Sequence, residues 1–316
     1  MSQTEGKRPL GNSGLLVTPV GFGCWPIAGV SSLDVNDGDS LATIHAALDA
    51  GINFIDTAFA YGYDGEADRL LAAVLTSRRD EVVVASKVGT HFANKQRVVD
   101  GRPETLLTHA ELALQRLELE HIDVMYLHQP DPNVPIAESA GAISEIIRRG
   151  WARFAGVSNV NLQQLQSFHK HCPVCVVQPP FNMLQPESVG EIREFCLCHN
   201  IAIACYWALM KGLLAGKLER DHRFDPADRR LTYPIFQGAA WQRSQDLLDK
   251  LRQLSLELDC TVAQLVIAWT VSQPGVTVAL CGAKRPSQIE ETAAAMSVSL
   301  TVETLSRIDS WLIELI

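Results

Sequence analysis

The chain has 316 residues, 47% hydrophobic and 20% charged, with 27 Lys and Arg against 36 Asp and Glu for a net charge of −9. This suits a soluble globular protein with a large core and excludes a disordered chain; the acidity, with no Lys/Arg-rich run, excludes nucleic acid as a partner. The polar opening MSQTEGKRPLGNSG is no signal peptide and no later stretch runs to 18 apolar residues, so no membrane is expected, and the cytoplasm, where cysteines stay reduced, is the expected location.

In chain order, Arg8 to Val17 sets the turn residues Asn12 and Gly14 between short apolar runs, which predicts a β-hairpin closing a barrel floor. Strand-like and helix-like segments then alternate. Strands are predicted at Val20–Gly23, Asn53–Asp56, Val82–Lys87, Val124–Leu127, Arg153–Ser158, Val174–Gln178, Ala202–Tyr206 and Val276–Leu280. Helices are predicted at Ser40–Ala50, Ala67–Leu75, Pro103–Leu117, Ile136–Arg149, Leu162–His171, Ser188–His199, over a longer stretch from Gln242 to Ser272, and at Ser287–Ala295. Pro103 and Pro286 mark helix starts, and Gly51 and Gly150 helix stops. Eight strands alternating with helices through short loops predict an α/β fold, a (β/α)8 TIM barrel read as a single domain over residues 1–316. Two segments fall outside the repeat. Leu218 to Gly238 is charged, turn-rich and long enough for a lid or binding loop; Val302 to Leu315 reads as an extra C-terminal amphipathic helix across the barrel mouth or side.

Asp56, Tyr61, Lys87 and His128 stand where the strand-like runs NFID, VVVASK and VMYLH give way to loops, and barrels of this kind keep their chemistry at the carboxyl ends of their strands. A phenol ordinarily titrates near pH 10, at about that value in model peptides. An ammonium from Lys87 against the Tyr61 hydroxyl favours the phenolate and makes the phenol a better proton donor, Asp56 fixes the ammonium, and His128 holds a substrate oxygen. Singly, each has a structural reading: Asp56 as a turn cap, Tyr61 as a core-edge aromatic, Lys87 as an interior ion-pair partner, His128 as packing. A Lys ending an apolar strand requires a partner in any case. Jointly the four make a set that protonates an alkoxide formed on a carbonyl carbon, which implies a hydride donor and needs no metal. The CPVC pair Cys172 and Cys175, followed by Cys196 and Cys198 with His169, His171 and His199 nearby, is weighed as a zinc or redox site. Cys196 and Cys198 lie two apart on a helix and point to different faces, so reduced structural thiols are the favoured reading.

Several strings in order, PLGNSGLLVTPVGFGCW (Pro9 to Trp25), GINFIDTAFAYG (Gly51 to Gly62), ASK (Ala85 to Lys87), IDVMYLHQPDP (Ile122 to Pro132), GVSN (Gly156 to Asn159), QPPFNML (Gln178 to Leu184), GLLAGK (Gly212 to Lys217) and GAKRPSQIEE (Gly282 to Glu291), resemble the aldo-keto reductase family over nearly the whole chain. The resemblance implies that Asp56, Tyr61, Lys87 and His128 are the family's proton-handling tetrad. It also implies an extended NADP laid over the strand ends, in place of the GxGxxG turn that this sequence lacks. Ser158, Asn159 and Gln178 would hydrogen-bond its carboxamide and Tyr206 would stack on the nicotinamide. The loop Ala208 to Lys217 would wrap the pyrophosphate through Leu209, Lys211 and Leu213. Past Gly282, Lys284 and Arg285 precede a helix whose amino end favours negative charge, which suits the 2′-phosphate; Gln288 and Glu291 would meet the adenosine. The sequence departs from the family at Thr292, where Asn is usual, and at Trp207-Ala208, where Ser-Pro is frequent. Trp25, Phe59, Phe92 and Trp207 are candidate walls of a pocket for a small carbonyl compound of modest polarity. The expected function is NADPH-dependent reduction of an aldehyde or ketone to the alcohol. The alternatives are oxidation of a sugar or polyol with NAD or NADP, and a cofactor-binding, redox-sensing regulatory subunit.

Overall fold

The structure, a computed structural model, describes residues 6–31 and 34–315; the first five residues of the polar opening lie outside it. The chain begins with a small hairpin of β1 (Arg8–Pro9) and β2 (Leu16–Val17), antiparallel with Arg8 opposite Val17. Then β3 (Val20–Gly23), β4 (Phe54–Asp56) and β5 (Val83–Val88) run into a second hairpin of β6 (Thr90–Ala93) and β7 (Gln96–Val99). The remaining strands are β8 (Ile122–Leu127), β9 (Ala152–Ser158), β10 (Val174–Gln178), β11 (Ala202–Cys205) and β12 (Val276–Gly282). With both hairpins set aside, the eight others close into a barrel in sequence order, every neighbour pair parallel. This is the predicted (β/α)8 barrel.

Between and after the strands lie α1 (Asp37–Asp49), α2 (Glu66–Arg78), α3 (Pro103–Leu117), α4 (Ile136–Arg148), α5 (Leu162–His171), α6 (Gly190–Cys198), α7 (Gly238–Glu257), α8 (Val262–Ser272), α9 (Pro286–Ala293) and α10 (Val302–Leu315). The single long helix expected over Gln242–Ser272 is two, α7 and α8, bent by 94°. Asp259 takes a left-handed conformation after α7, and Thr261 restarts the chain with a capping box to Gln264. The sequence reading did not include β6 and β7: their two-residue turn, Asn94-Lys95, has positive φ at both positions but lacks the Gly that advertises such turns. Much of the Leu218–Gly238 segment is exposed, and it is anchored through its apolar residues. Its short 3₁₀ turns Arg229–Thr232 and Pro234–Phe236 rest against a cluster of Phe224, Phe236 and Trp241.

Two apolar layers hold this architecture. Strand residues of one parity face the helices; those of the other fill the barrel with Phe54, Val83, Ala85, Val124, Tyr126, Val176, Ala202, Ala204 and Val278. Leu10 and Val17 of the first hairpin join that inner cluster, and at Gly11 the Cys175 carbonyl leaves no room for a Cβ. The hairpin therefore closes the floor, as expected. On β9, Gly156 is needed because the Tyr126 ring occupies the place of a side chain. Helix α10 lies against the side of the barrel: Trp269 of α8 donates to Asp309 at 3.1 Å, and Arg307 and Lys250 pair with Glu257 and Glu314. Among the described residues, no single helix is long and apolar enough to cross a membrane.

Candidate active site

The inner parity of the strands explains why the polar residues converge. Asp56 follows Phe54 by two positions, Lys87 follows Ala85, and His128 follows Tyr126, so each continues an inward-facing row to the carboxyl end of its strand. There the Lys87 ammonium donates to Asp56 Oδ1 at 2.5 Å, to the Thr57 carbonyl at 2.9 Å and to the Tyr61 hydroxyl at 3.1 Å. All three of its hydrogens are thus used. The second Asp56 oxygen accepts from Gln178 Nε2 at 2.7 Å. Lys87 and Asp56 are each 1% exposed, and a charge pair buried this deeply is tolerated only when both partners are saturated with hydrogen bonds. The Tyr61 ring packs edge-on to Trp25 and His128, with centroids 5.3 and 6.1 Å away.

Burial, and next the Asp56 carboxylate, push the Tyr61 phenol well above its ordinary range, so the hydroxyl holds its proton at neutral pH. Lys87, donating to the same oxygen, acts in the opposite sense, which matters most once that proton has left. In the resting site burial and then the carboxylate dominate, with Arg97 acting in the opposite sense. Burial, then the charges of Lys87 and Arg97, hold His128 well below its ordinary range. Its imidazole is neutral, with Nδ1 buried and without a protein partner. The site thus presents a protonated phenol and a neutral imidazole to whatever oxygen enters.

The expected cofactor residues also meet, on the arc from β9 to β12. Ser158 Oγ donates to the Gln178 carbonyl at 2.7 Å. Asn159, in the left-handed conformation that Asn tolerates, donates to the His128 carbonyl at 2.9 Å and to Ser158 Oγ at 3.1 Å, and accepts from the Tyr206 hydroxyl at 2.7 Å. Burial pushes the Tyr206 phenol up to about 12. Trp207, also at positive φ, packs edge-on to Tyr206. Lys211 Nζ lies 4.0 Å from the Trp207 ring and 4.3 Å from that of Tyr233, with no carboxylate in ion-pair reach among the described residues. Leu209 is half-buried and Leu213 fully buried, so Leu213 has only its backbone to offer a ligand. A Cβ at Gly282 would meet the Pro26 ring. The Lys284 amide donates to Gln288 Oε1 at 2.9 Å, Arg285 is exposed at the start of α9, and Glu291 pairs with Lys217 at 2.5 Å. Thr292 is buried and its hydroxyl turns back onto the Gln288 and Ile289 carbonyls.

Of the four aromatic wall candidates, Trp25 lies against Tyr61, Trp207 against Tyr206, and Phe92, on β6, against Tyr63. Phe59 differs: its ring stacks on His109 at 3.9 Å and carries the Arg116 guanidinium at 4.2 Å, which makes it part of the packing between this loop and α3. Cys172, Cys175 and Cys196 are buried, and burial pushes each thiol up to about 12, the opposite of a reactive thiolate.

Three participants were not singled out from the sequence. Thr57 gives its carbonyl to Lys87 and its hydroxyl to Asp68, 2.6 Å away. Asp68 is fully buried, with one carboxyl oxygen unpartnered, and burial pushes it up to about 7. Its signal was available, an acid within the apolar stripe Asp68, Leu71, Ala72 and Leu75 of α2. Arg97, on β7, acts electrostatically on Tyr61, His128 and Tyr206 and had no such signal, since its strand was not foreseen.

A parallel eight-stranded barrel with a buried Asp-Lys pair bound to a protonated Tyr beside a neutral His defines an oxidoreductase class, and the aldo/keto reductase family profile matches residues 19–313. The chain belongs to that family. It is 31% identical over 297 residues to the aldo-keto reductase YhdN of Bacillus subtilis (strain 168), covering 93% of this chain and 89% of that protein. It is 28% identical over 310 residues to the NADH-specific methylglyoxal reductase of Escherichia coli (strain K12), covering 93% and 94%. The structure of the glycerol dehydrogenase AKR11B4 from Gluconobacter oxydans superposes with a TM-score of 0.92 at 30% identity, over 100% of this chain and 97% of that one.

Proposed function

We propose that this protein, a single-domain cytoplasmic enzyme, reduces an aldehyde or ketone to the alcohol with NADPH, and that Tyr61 supplies the proton. The observation that carries this reading is the Lys87 ammonium, bound at once to Asp56 and to the Tyr61 hydroxyl in a buried site. The bound nicotinamide supplies the hydride. Neutral His128 donates a hydrogen bond to the substrate carbonyl oxygen and orients it. Tyr61 passes its proton to that oxygen, and Lys87 stabilises the phenolate left behind. Asp56, held by Gln178, keeps Lys87 in place.

The residues present suit the cofactor. Ser158, Asn159 and Gln178 bring amide and hydroxyl groups together on adjacent strand ends, Tyr206 adds a ring, and the Lys211 ammonium, with no carboxylate partner among the described residues, suits a pyrophosphate. Leu209 and Leu213 would add backbone contacts. Gly282, Lys284 and Arg285 lead into α9, where the 2′-phosphate would rest, with Gln288 and Glu291 beside the adenosine. A second reading, oxidation of a polyol or sugar, draws on the likeness to a glycerol dehydrogenase. The deciding experiment follows NADPH and NADH consumption over a panel of aldehydes, ketones and sugars. Many turnovers are expected on at least one carbonyl compound. Tight NADPH binding without turnover would favour the oxidative direction, then tested with alcohols, sugars and NADP; a redox sensor would not exceed one equivalent.

A further inference from the structure

The β6–β7 hairpin leaves the barrel directly after β5, on the end where Lys87 stands, and returns to α3. Phe92 stands opposite Arg97 in its register. Phe92 packs edge-on to Tyr63 at 5.1 Å, and Lys95 Nζ lies 5.9 Å from the same ring, so the hairpin is anchored on the loop that carries Tyr61. From the other strand, Arg97 Nη2 donates to Gln129 Oε1 at 3.3 Å, and Gln129 is the residue after His128. The hairpin thus spans the mouth, touching the Tyr61 loop through Phe92 and Lys95 and the residue after His128 through Arg97. The only polar partner of Arg97 among the described residues is that neutral amide; no carboxylate pairs with it.

Barrel order places this cation with respect to the cofactor. β5 and β8 lie across the barrel from β11 and β12, whose ends carry Lys211, Lys284 and Arg285. The charge of Arg97, on an exposed side chain, therefore stands on the arc opposite the groups suited to the dinucleotide phosphates, close enough to act on Tyr61 and His128. The protein carries a net charge of −9, so an isolated cation at the mouth of its site gives a local attraction for anions that the surface as a whole does not. A guanidinium matches a carboxylate with paired hydrogen bonds, and Gln129 fixes its orientation.

We propose that Arg97 forms a carboxylate subsite in the substrate pocket, so that the preferred substrates are oxo acids, with the carbonyl at Tyr61 and His128 and the acid group on Arg97. This rests on the carbonyl-reducing reading and sharpens the expectation of substrates of modest polarity: the aromatic walls hold the chain and the hairpin holds the charge. The test compares kcat/KM for 4-oxobutanoate and for butanal, which share a chain length and differ in the acid. Arg97→Leu is expected to lower the acid-to-aldehyde ratio about ten- to a hundredfold, as loss of a hydrogen bond to a charged group implies, mainly through KM, and Arg97→Lys to restore part of it. An unchanged ratio in Arg97→Leu overturns the proposal. Calorimetric titration with succinate, which cannot be reduced, in the presence of NADP decides the same point without turnover. Succinate binding at least about tenfold weaker in Arg97→Leu supports the subsite, and equal binding overturns it. If neither aldehyde is reduced, the succinate titration still judges Arg97, and the panel of aldehydes, ketones and sugars judges the carbonyl-reducing reading separately.

Discussion

The two arcs of the barrel mouth are built differently. From β4 to β8, Asp56 and Lys87 are each 1% exposed and paired, their remaining hydrogen bonds filled by Thr57, Tyr61 and Gln178. From β9 to β12 and its loops, Ser158 and Gln178 are buried, but Tyr206, Lys211 and Lys284 are half-buried and Arg285 is exposed, and the contacts are spread over several hydrogen bonds, aromatic contacts and one ion pair. On the first arc a single ion pair fixes one geometry, so removing any member leaves a charge or a proton misplaced. On the second, many modest contacts share the work and each removal should be felt in proportion. Under the proposed function, chemistry calls for the first arrangement, because a proton donor has to be positioned to fractions of an ångström, and holding a long dinucleotide would be served by the second.

The largest effect should come from Tyr61→Phe. The ring keeps its packing against Trp25 and His128 and loses only the hydroxyl, so kcat for carbonyl reduction should fall by about 10²–10⁴, the usual contribution of a general acid. NADPH affinity, followed by fluorescence titration, should change little. Full turnover in this variant would assign the proton to another group and remove the contrast between the arcs. Next in size, Asp56→Asn removes the anion from a buried pair. Stability in urea should drop by about 3–5 kcal/mol, the range found when one partner of such a pair is deleted. A drop no larger than that of a surface substitution would show that water reaches Lys87 and that the first arc is as open as the second.

Asp68 extends the buried arc one layer outward and gives it a pH dependence. Burial raises this carboxyl from 3.8 to about 7, with the Thr57 hydroxyl and Arg116 acting in the opposite sense. The sign follows from proton binding. Below the unfolded value both states are protonated; between the two values the native state keeps a proton that the unfolded chain has lost, so this stabilising contribution declines as pH rises through about 7. Unfolding of the wild type measured from pH 4 to 8 should therefore lose a few kcal/mol relative to Asp68→Asn, in that window and not below it. Parallel pH curves for the two proteins would mean that the carboxylate is charged and compensated throughout.

Much of the first arc was legible because its code is short. Apolar rows of period two that end in Asp56, Lys87 and His128 state both the strand and the face on which the polar residue lands, and the barrel follows from repetition of that pattern with helices between. What escaped reading depended on contacts distant in sequence or on turns without their usual residues. The Asn94-Lys95 turn hides β6 and β7, and with them Arg97. The break after α7 rests on Asp259 and on the capping box of Thr261 and Gln264, inside a stretch whose apolar pattern continues. Phe59 has the composition of a pocket wall, and only the approach of His109 and Arg116 from α3 shows that both its faces are covered. Asp68 was readable and unread, since a lone acid in an apolar helical stripe is a buried acid until shown otherwise.

The smallest effect belongs to the second arc and tests its distributed character. Lys284 and Arg285 stand between β12 and α9, where the helix amino end adds its own preference for an anion. Replacing both by Ala should weaken NADPH about tenfold or more, the worth of a charge-assisted contact to phosphate oxygens, and leave NADH nearly unchanged, because NADH has no 2′-phosphate to lose. The rest of the dinucleotide would still be held by the Ser158, Asn159, Gln178 and Tyr206 cluster, so kcat at saturating cofactor should persist. Dissociation constants for both cofactors, measured on the same preparation, give the ratio directly. Equal weakening of NADPH and NADH would place the phosphate site elsewhere, and would mean that these two cations serve α9 itself and take no part in choosing between the cofactors.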